Sequence, residues 1–105
     1  MKNIWFKPDC IDWIRMGKKT TTWRTKKHDG EYVVVKGSWF KSIPIEPKLI
    51  VRLSEPRQIS IDELVRKYWI LESPLNKQKF KDWLIKNKLY QPEKIGWIHR
   101  IEIMK

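Results

Sequence analysis

Gly17-Lys18-Lys19-Thr20-Thr21-Thr22-Trp23-Arg24 compresses a helix stop, a cationic turn, a row of hydroxyls and the start of a strand into eight residues. Glycine reaches the left-handed conformation that ends a helix, and successive β-branched threonines then favour extended chain. Core building does not require this combination, so a functional site is sought here. From Trp13 to His28 the chain carries Arg15, Lys18, Lys19, Arg24, Lys26 and Lys27 and no acid. Such a segment repels itself unless an anion compensates it.

Upstream, Asn3 to Lys7 has strand character. Pro8 and Asp9 suit the first turn of a helix, because proline lacks only an unneeded donor and aspartate complements the dipole. That helix is expected to run to about Met16, with Cys10, Ile11 and Ile14 on its buried face. Downstream, the strand opened by Thr20–Thr22 ends at His28-Asp29-Gly30-Glu31, and a second covers Tyr32 to Val35. Proline at 44 and 47 predicts an irregular or edge segment. Leu49 to Leu53 alternates as a third good strand, and Ser54 to Arg57 reads as a turn-rich connection.

Ile61, Leu64, Val65, Tyr68 and Trp69 repeat at helical spacing, with Ser60 and Glu63 in capping-box positions. Asn76 caps a further helix that places Phe80, Trp83 and Leu84 inward and Lys77, Lys79, Lys81, Lys86 and Lys88 outward. Ile95 to Met104 alternates as a closing strand. Strands that outnumber helices without alternating regularly predict an α+β fold, a mixed, curved sheet or small β-barrel with flanking helices. One domain over residues 1–105 accommodates all of it.

Charge points to the partner class. The chain holds 23 Lys or Arg against 12 Asp or Glu, a formal charge of +11. Nucleic acid is the leading polyanion and an anionic membrane surface the second. The apolar run before Pro8 is too short for a signal peptide or a membrane span, so no membrane partner and a cytoplasmic location are expected. Cys10 is the sole cysteine and reads as core; His28 and His99 are not in ligand spacing with it, so neither a metal nor another cofactor is expected.

Gly17, Lys19, Thr20, Thr22 and Arg24 resemble the leading Gly-x-Lys-Thr-x-Thr-x-Arg motif of the ASCH family, whose members share a PUA-like β-barrel. The short preceding helix, Gly30-Glu31 before a strand, and the ending Ile101-Glu102-Ile103 extend the resemblance. It implies a nucleic-acid or nucleotide ligand in a cleft beside that motif. It also implies, for a bacterial branch of similar length, an amidohydrolase that removes the acetyl group of N4-acetylcytidine with a Thr, a Lys and a Glu. Carried over, these fall on Thr22 as nucleophile, Lys19 as base and Glu72 in support. Trp23 stands where that branch has an aliphatic residue.

Two functions from different classes follow. The first is RNA or nucleotide binding in a basic cleft built from Lys18, Lys19, Thr20, Thr22, Arg24 and Lys26, with Trp23 and Trp39 as stacking platforms. The second is the amidohydrolase; RNA cleavage and a protein-interaction role through Trp39-Phe40 are further alternatives. The catalytic set carries a geometric condition. In a regular strand Lys19 and Thr22 point to opposite faces, so Lys19 must still belong to the turn after Gly17.

Overall fold

A computed structural model describes residues 1–38 and 41–104. β1 (Lys2–Trp5) leads into α1 (Pro8–Arg15), with Pro8 in its first turn and Cys10, Ile11 and Ile14 buried. Gly17 adopts a φ of 73°, and the amides of Lys18 and Lys19 both return to the Trp13 carbonyl, at 2.8 and 3.1 Å. The helix therefore ends where the glycine allows it. β2 (Thr21–Arg24) starts only after this turn, followed by β3 (Gly30–Ser38), β4 (Lys41–Pro44) and β5 (Ile50–Ser60). Three helices come next, α2 (Ile61–Lys67), α3 (Trp69–Glu72) and α4 (Lys77–Lys86), and β6 (Ile95–Met104) completes the chain.

The strands form one mixed sheet in the order β1-β3-β5-β6-β2, with β4 paired to β3. Among the described residues only the β1–β3 pairing is parallel. β1 and β2 lie at opposite ends of this path and do not pair, so the expected α+β sheet with flanking helices is present but not closed by hydrogen bonds into a barrel. Arg24, at the end of β2, spans the opening: its guanidinium donates to the Trp5 carbonyl at 2.8 Å and lies 4.5 Å from the centre of the Phe6 ring.

Several expectations are met in detail. Ser60 Oγ accepts from the Glu63 amide at 3.1 Å, and Asn76 Oδ1 accepts from the Lys79 amide at 2.8 Å, so both predicted caps form. Other readings are corrected. Ser54 to Arg57 is not a turn: β5 runs through it, and the register with β6 shifts between Ser54 and Arg57. Glu55 takes a φ of 54° there, and Pro56 sits in the irregularity, where its missing donor costs no ladder bond. The helix that begins at Ile61 is interrupted at Tyr68 before α3, whereas the segment around Pro44 forms β4, paired to β3 at the sheet's edge as its prolines imply.

The bulge divides the core in two. Val51 and Leu53, before it, join Ile4, Phe6, Ile11 and Ile14 in one buried cluster under α1. Ile59, after it, joins Ile61, Leu64, Phe80, Leu84 and Ile98 in a second under α2 and α4. Trp83 packs against both and touches Trp13 at 5.1 Å between ring centres. Among the described residues no helix is long and apolar enough to cross a membrane.

Gly96 tests the packing of β2 on β6. A Cβ there would lie 2.5 Å from the Trp23 ring and 2.6 Å from the Arg24 carbonyl oxygen. The ring is tied by its Nε1 to the Ile59 carbonyl at 3.2 Å and cannot swing aside freely. Gly96→Ala is expected to lower unfolding free energy by about 1–3 kcal/mol in urea titrations; an unchanged midpoint would contradict this packing.

Candidate functional site

The opening between β1 and β2, capped by the helices, is a cleft of about 280 Å³. Its walls are apolar, including Trp5, Phe6, Leu64, Trp83 and Leu84, and it lies along the seam of the two core clusters. Lys19, Thr22, Arg24 and Glu72 all line it. Lys19, Thr22 and Glu72 are respectively 6%, 3% and 4% exposed, which places them in its interior.

Lys19 precedes β2 and belongs to the turn after Gly17, so strand alternation does not bind it. Its Nζ donates to Glu72 Oε1 at 3.1 Å and to the Glu72 carbonyl at 3.3 Å. The second carboxylate oxygen, Oε2, accepts from Thr21 Oγ1. The backbone aligns the two segments as well, because the Thr20 amide donates to the Leu71 carbonyl at 2.8 Å. The break at Tyr68 lets α3 deliver Glu72 to this point. Thr22 Oγ1 accepts from Arg24 Nε at 3.3 Å, and among the described residues no hydrogen bond joins it to Lys19 or Glu72.

Arg24 has no carboxylate partner among the described residues, and burial pulls its pKa below the ordinary guanidinium value while Cys10 and Glu72 push it back. Burial likewise raises the Cys10 thiol, with Lys19 opposing, so Cys10 lines the cleft as a thiol rather than a thiolate.

The other expected ligand contacts are distributed differently. Lys18, Thr20 and Lys26 are exposed and do not line the cleft. Lys18 leaves the helix end directly into solvent, and the Thr20 hydroxyl is turned to the Leu71 carbonyl at 3.5 Å. Trp23 lines the cleft but is half-buried against Gly96 and the second core cluster, a wall rather than a free platform. Trp39 lies outside the described residues. Unforeseen contributors are Thr21, whose hydroxyl holds Glu72, and Lys7, Lys88 and Lys94, which approach the cleft from three separate segments.

Comparisons with known proteins agree on the fold. An ASCH protein from Zymomonas mobilis, crystallised as a point mutant, aligns with a TM-score of 0.59 and 16% identity, over 97% of this chain and 73% of that one. A DUF984 protein from Enterococcus faecalis aligns with a TM-score of 0.59 and 14% identity, over 99% and 80%. An ASCH domain from Lactobacillus crispatus gives 0.51 and 12%, over 90% and 69%. No family model matches the sequence, and no curated protein matches it at a significant level. The chain shares the ASCH fold; likeness at these identities carries the fold alone.

Behind Thr22 stands His99, 1% exposed on the neighbouring strand. Its Nε2 accepts from the His28 amide at 2.9 Å, so the neutral ring carries its proton on Nδ1 and donates it to the Thr22 carbonyl at 3.2 Å. Burial holds its pKa below the ordinary value, with nearby His28 and Arg24 adding to the shift and the Thr22 bond opposing it. A depressed folded-state pKa means the unfolded chain binds the proton more tightly. The contribution of His99 is therefore complete above its unfolded value of about 6.5 and is lost as pH falls through the folded one. Urea midpoints measured from about pH 8 to about pH 5 are expected to fall more steeply for the natural protein than for His99→Asn, which keeps a donor but does not titrate. Parallel slopes would contradict this protonation state.

Proposed function

We propose that this ASCH-fold chain is an amidohydrolase that removes an acyl group from the exocyclic amine of a nucleobase. The family resemblance makes N4-acetylcytosine the substrate of choice. One observation carries the reading: an ion pair, Lys19–Glu72, is held out of water in a mostly apolar cleft that Thr22 also lines. Desolvating two charges costs several kcal/mol per ion, and a well-packed apolar pair would fill the same space as stably or more so. Retaining the charges is explained by chemistry performed on a ligand.

The resemblance supplies Thr22 as nucleophile and Lys19 as base, and the contacts of Arg24 and Glu72 support those roles. Arg24 Nε occupies one lone pair of Thr22 Oγ1, leaving the hydroxyl proton free to be donated elsewhere and stabilising negative charge that grows on the oxygen. Lys19, as the base, takes the Thr22 hydroxyl proton, and Glu72 orients the Lys19 amine through their 3.1 Å contact. Thr22 Oγ1 then forms a bond to the acyl carbon as the amide C–N bond breaks. The departing amine takes its proton from the Lys19–Glu72 pair. Water attacks the acyl-threonine, releasing the carboxylic acid and restoring the hydroxyl.

A space of about 280 Å³ suits one planar base and not a helical nucleic acid. This shifts the weight from a polymer-binding surface, since Lys18 and Lys26 are outside it. Ligand binding without turnover is the second reading, favoured by the charge of +11.

Incubation with N4-acetylcytidine is expected to release cytidine. Thr22→Ala is expected to lower kcat/KM by about a thousandfold or more, and Thr22→Ser to stay within about tenfold of the natural protein. Undiminished turnover in Thr22→Ala would remove that residue from the mechanism, and no turnover by the natural protein would leave the binding reading.

A further inference from the structure

We infer that the cleft takes its base with phosphate attached, the phosphate being held at the mouth by Lys7, Lys88 and Lys94. This rests on the nucleobase reading above and adds a ligand class to it. The three lysines come from the β1–α1 link, the turn after α4 and the segment before β6, and all line the same cleft. Lys88 and Lys94 are exposed and Lys7 is half-buried, whereas Lys19, Thr22 and Glu72 are buried. The first set therefore marks the entrance and the second the interior.

Charge at this entrance is unbalanced. Of the 12 acidic residues in the chain, Glu72 alone lines the cleft among the described residues, and Lys19 already occupies it. Lys7, Lys88 and Lys94 take part in no ion pair among the described residues. Lys7 instead rests with its Nζ 5.3 Å from the centre of the Trp5 ring, on a wall of the same cleft. An aromatic-walled slot with a catalytic interior and a cationic rim matches a nucleotide in one orientation. The base enters with its exocyclic group inward, and sugar and phosphate remain at the lysines. A free nucleoside would leave those charges without a counter-charge.

Quenching of tryptophan fluorescence in the cleft walls provides the readout, with Thr22→Ala protein used to prevent turnover. The four ribonucleosides, their 5′-monophosphates and short single-stranded oligoribonucleotides are titrated at low and high salt. At low salt, the best-bound monophosphate is expected to bind about tenfold more tightly than its nucleoside, and the gain is expected to shrink at high salt. In Lys7→Ala/Lys88→Ala/Lys94→Ala the gain is expected to vanish while nucleoside affinity stays the same, which also shows that this variant is folded. Gain already complete in the monophosphate identifies a single phosphate as its source, and further gain with the oligonucleotides identifies the polymer backbone.

Absence of any phosphate gain, with monophosphates or oligonucleotides, overturns the inference. So does a gain that survives intact in the triple variant. The readings fail separately: a phosphate gain without deacylation by the natural protein keeps the lysine rim and discards the Thr22 chemistry.

Discussion

Two opposite charges held out of water, the Lys19 ammonium and the Glu72 carboxylate, set the terms for the surrounding architecture. A buried ion pair is tolerated only when its geometry is good and its remaining polar atoms are satisfied. Here Lys19 bonds both the carboxylate and the carbonyl of Glu72, and Thr21 takes the second carboxylate oxygen. Meeting those demands needs a helix that stops at Gly17, a strand that waits until Thr21, and a second helix that breaks at Tyr68. The Thr20–Leu71 backbone bond fastens the two segments to each other.

An open sheet supplies the space. Full closure of a small barrel would pair β1 with β2 and leave its interior packed with side chains. Instead Arg24 reaches across the gap to the Trp5 carbonyl, a long polar arm in place of a ladder. The β5 bulge separates the two apolar clusters, and the cleft runs along their seam. Arg24 thus joins the fold to the candidate site, since the guanidinium that spans the opening also bonds the Thr22 hydroxyl.

Local signals in the sequence were reliable where they concern chain direction. Pro8, Gly17, Ser60 and Asn76 start or stop helices as their chemistry dictates, and Ile95–Met104 forms the closing strand its alternation implies. Pro56 was misleading, because proline signals a break and a bulge inside a long strand satisfies the same restriction. The candidate site was legible only in part. Lys19 and Glu72 are 53 residues apart, and no periodicity joins them; the ASCH resemblance supplied that pairing. Thr21 was missed because alternation set it opposite Thr22, and Lys7, Lys88 and Lys94 because three distant segments converge on them. Lys18, Thr20 and Lys26 lie outside the cleft, because closeness in sequence to a residue that lines it does not place a side chain there.

If the buried pair serves chemistry rather than stability, the two properties must separate when it is replaced. Lys19→Met/Glu72→Leu removes both charges and keeps the volume, whereas Lys19→Met alone leaves a buried carboxylate without its partner. Urea unfolding and N4-acetylcytidine deacylation measured on both variants test this directly. The account predicts that the single variant loses about 3–5 kcal/mol, that the double variant unfolds within about 1 kcal/mol of the natural protein or above it, and that the double variant releases no cytidine. A double variant that still deacylates, or that is as unstable as the single one, would contradict it.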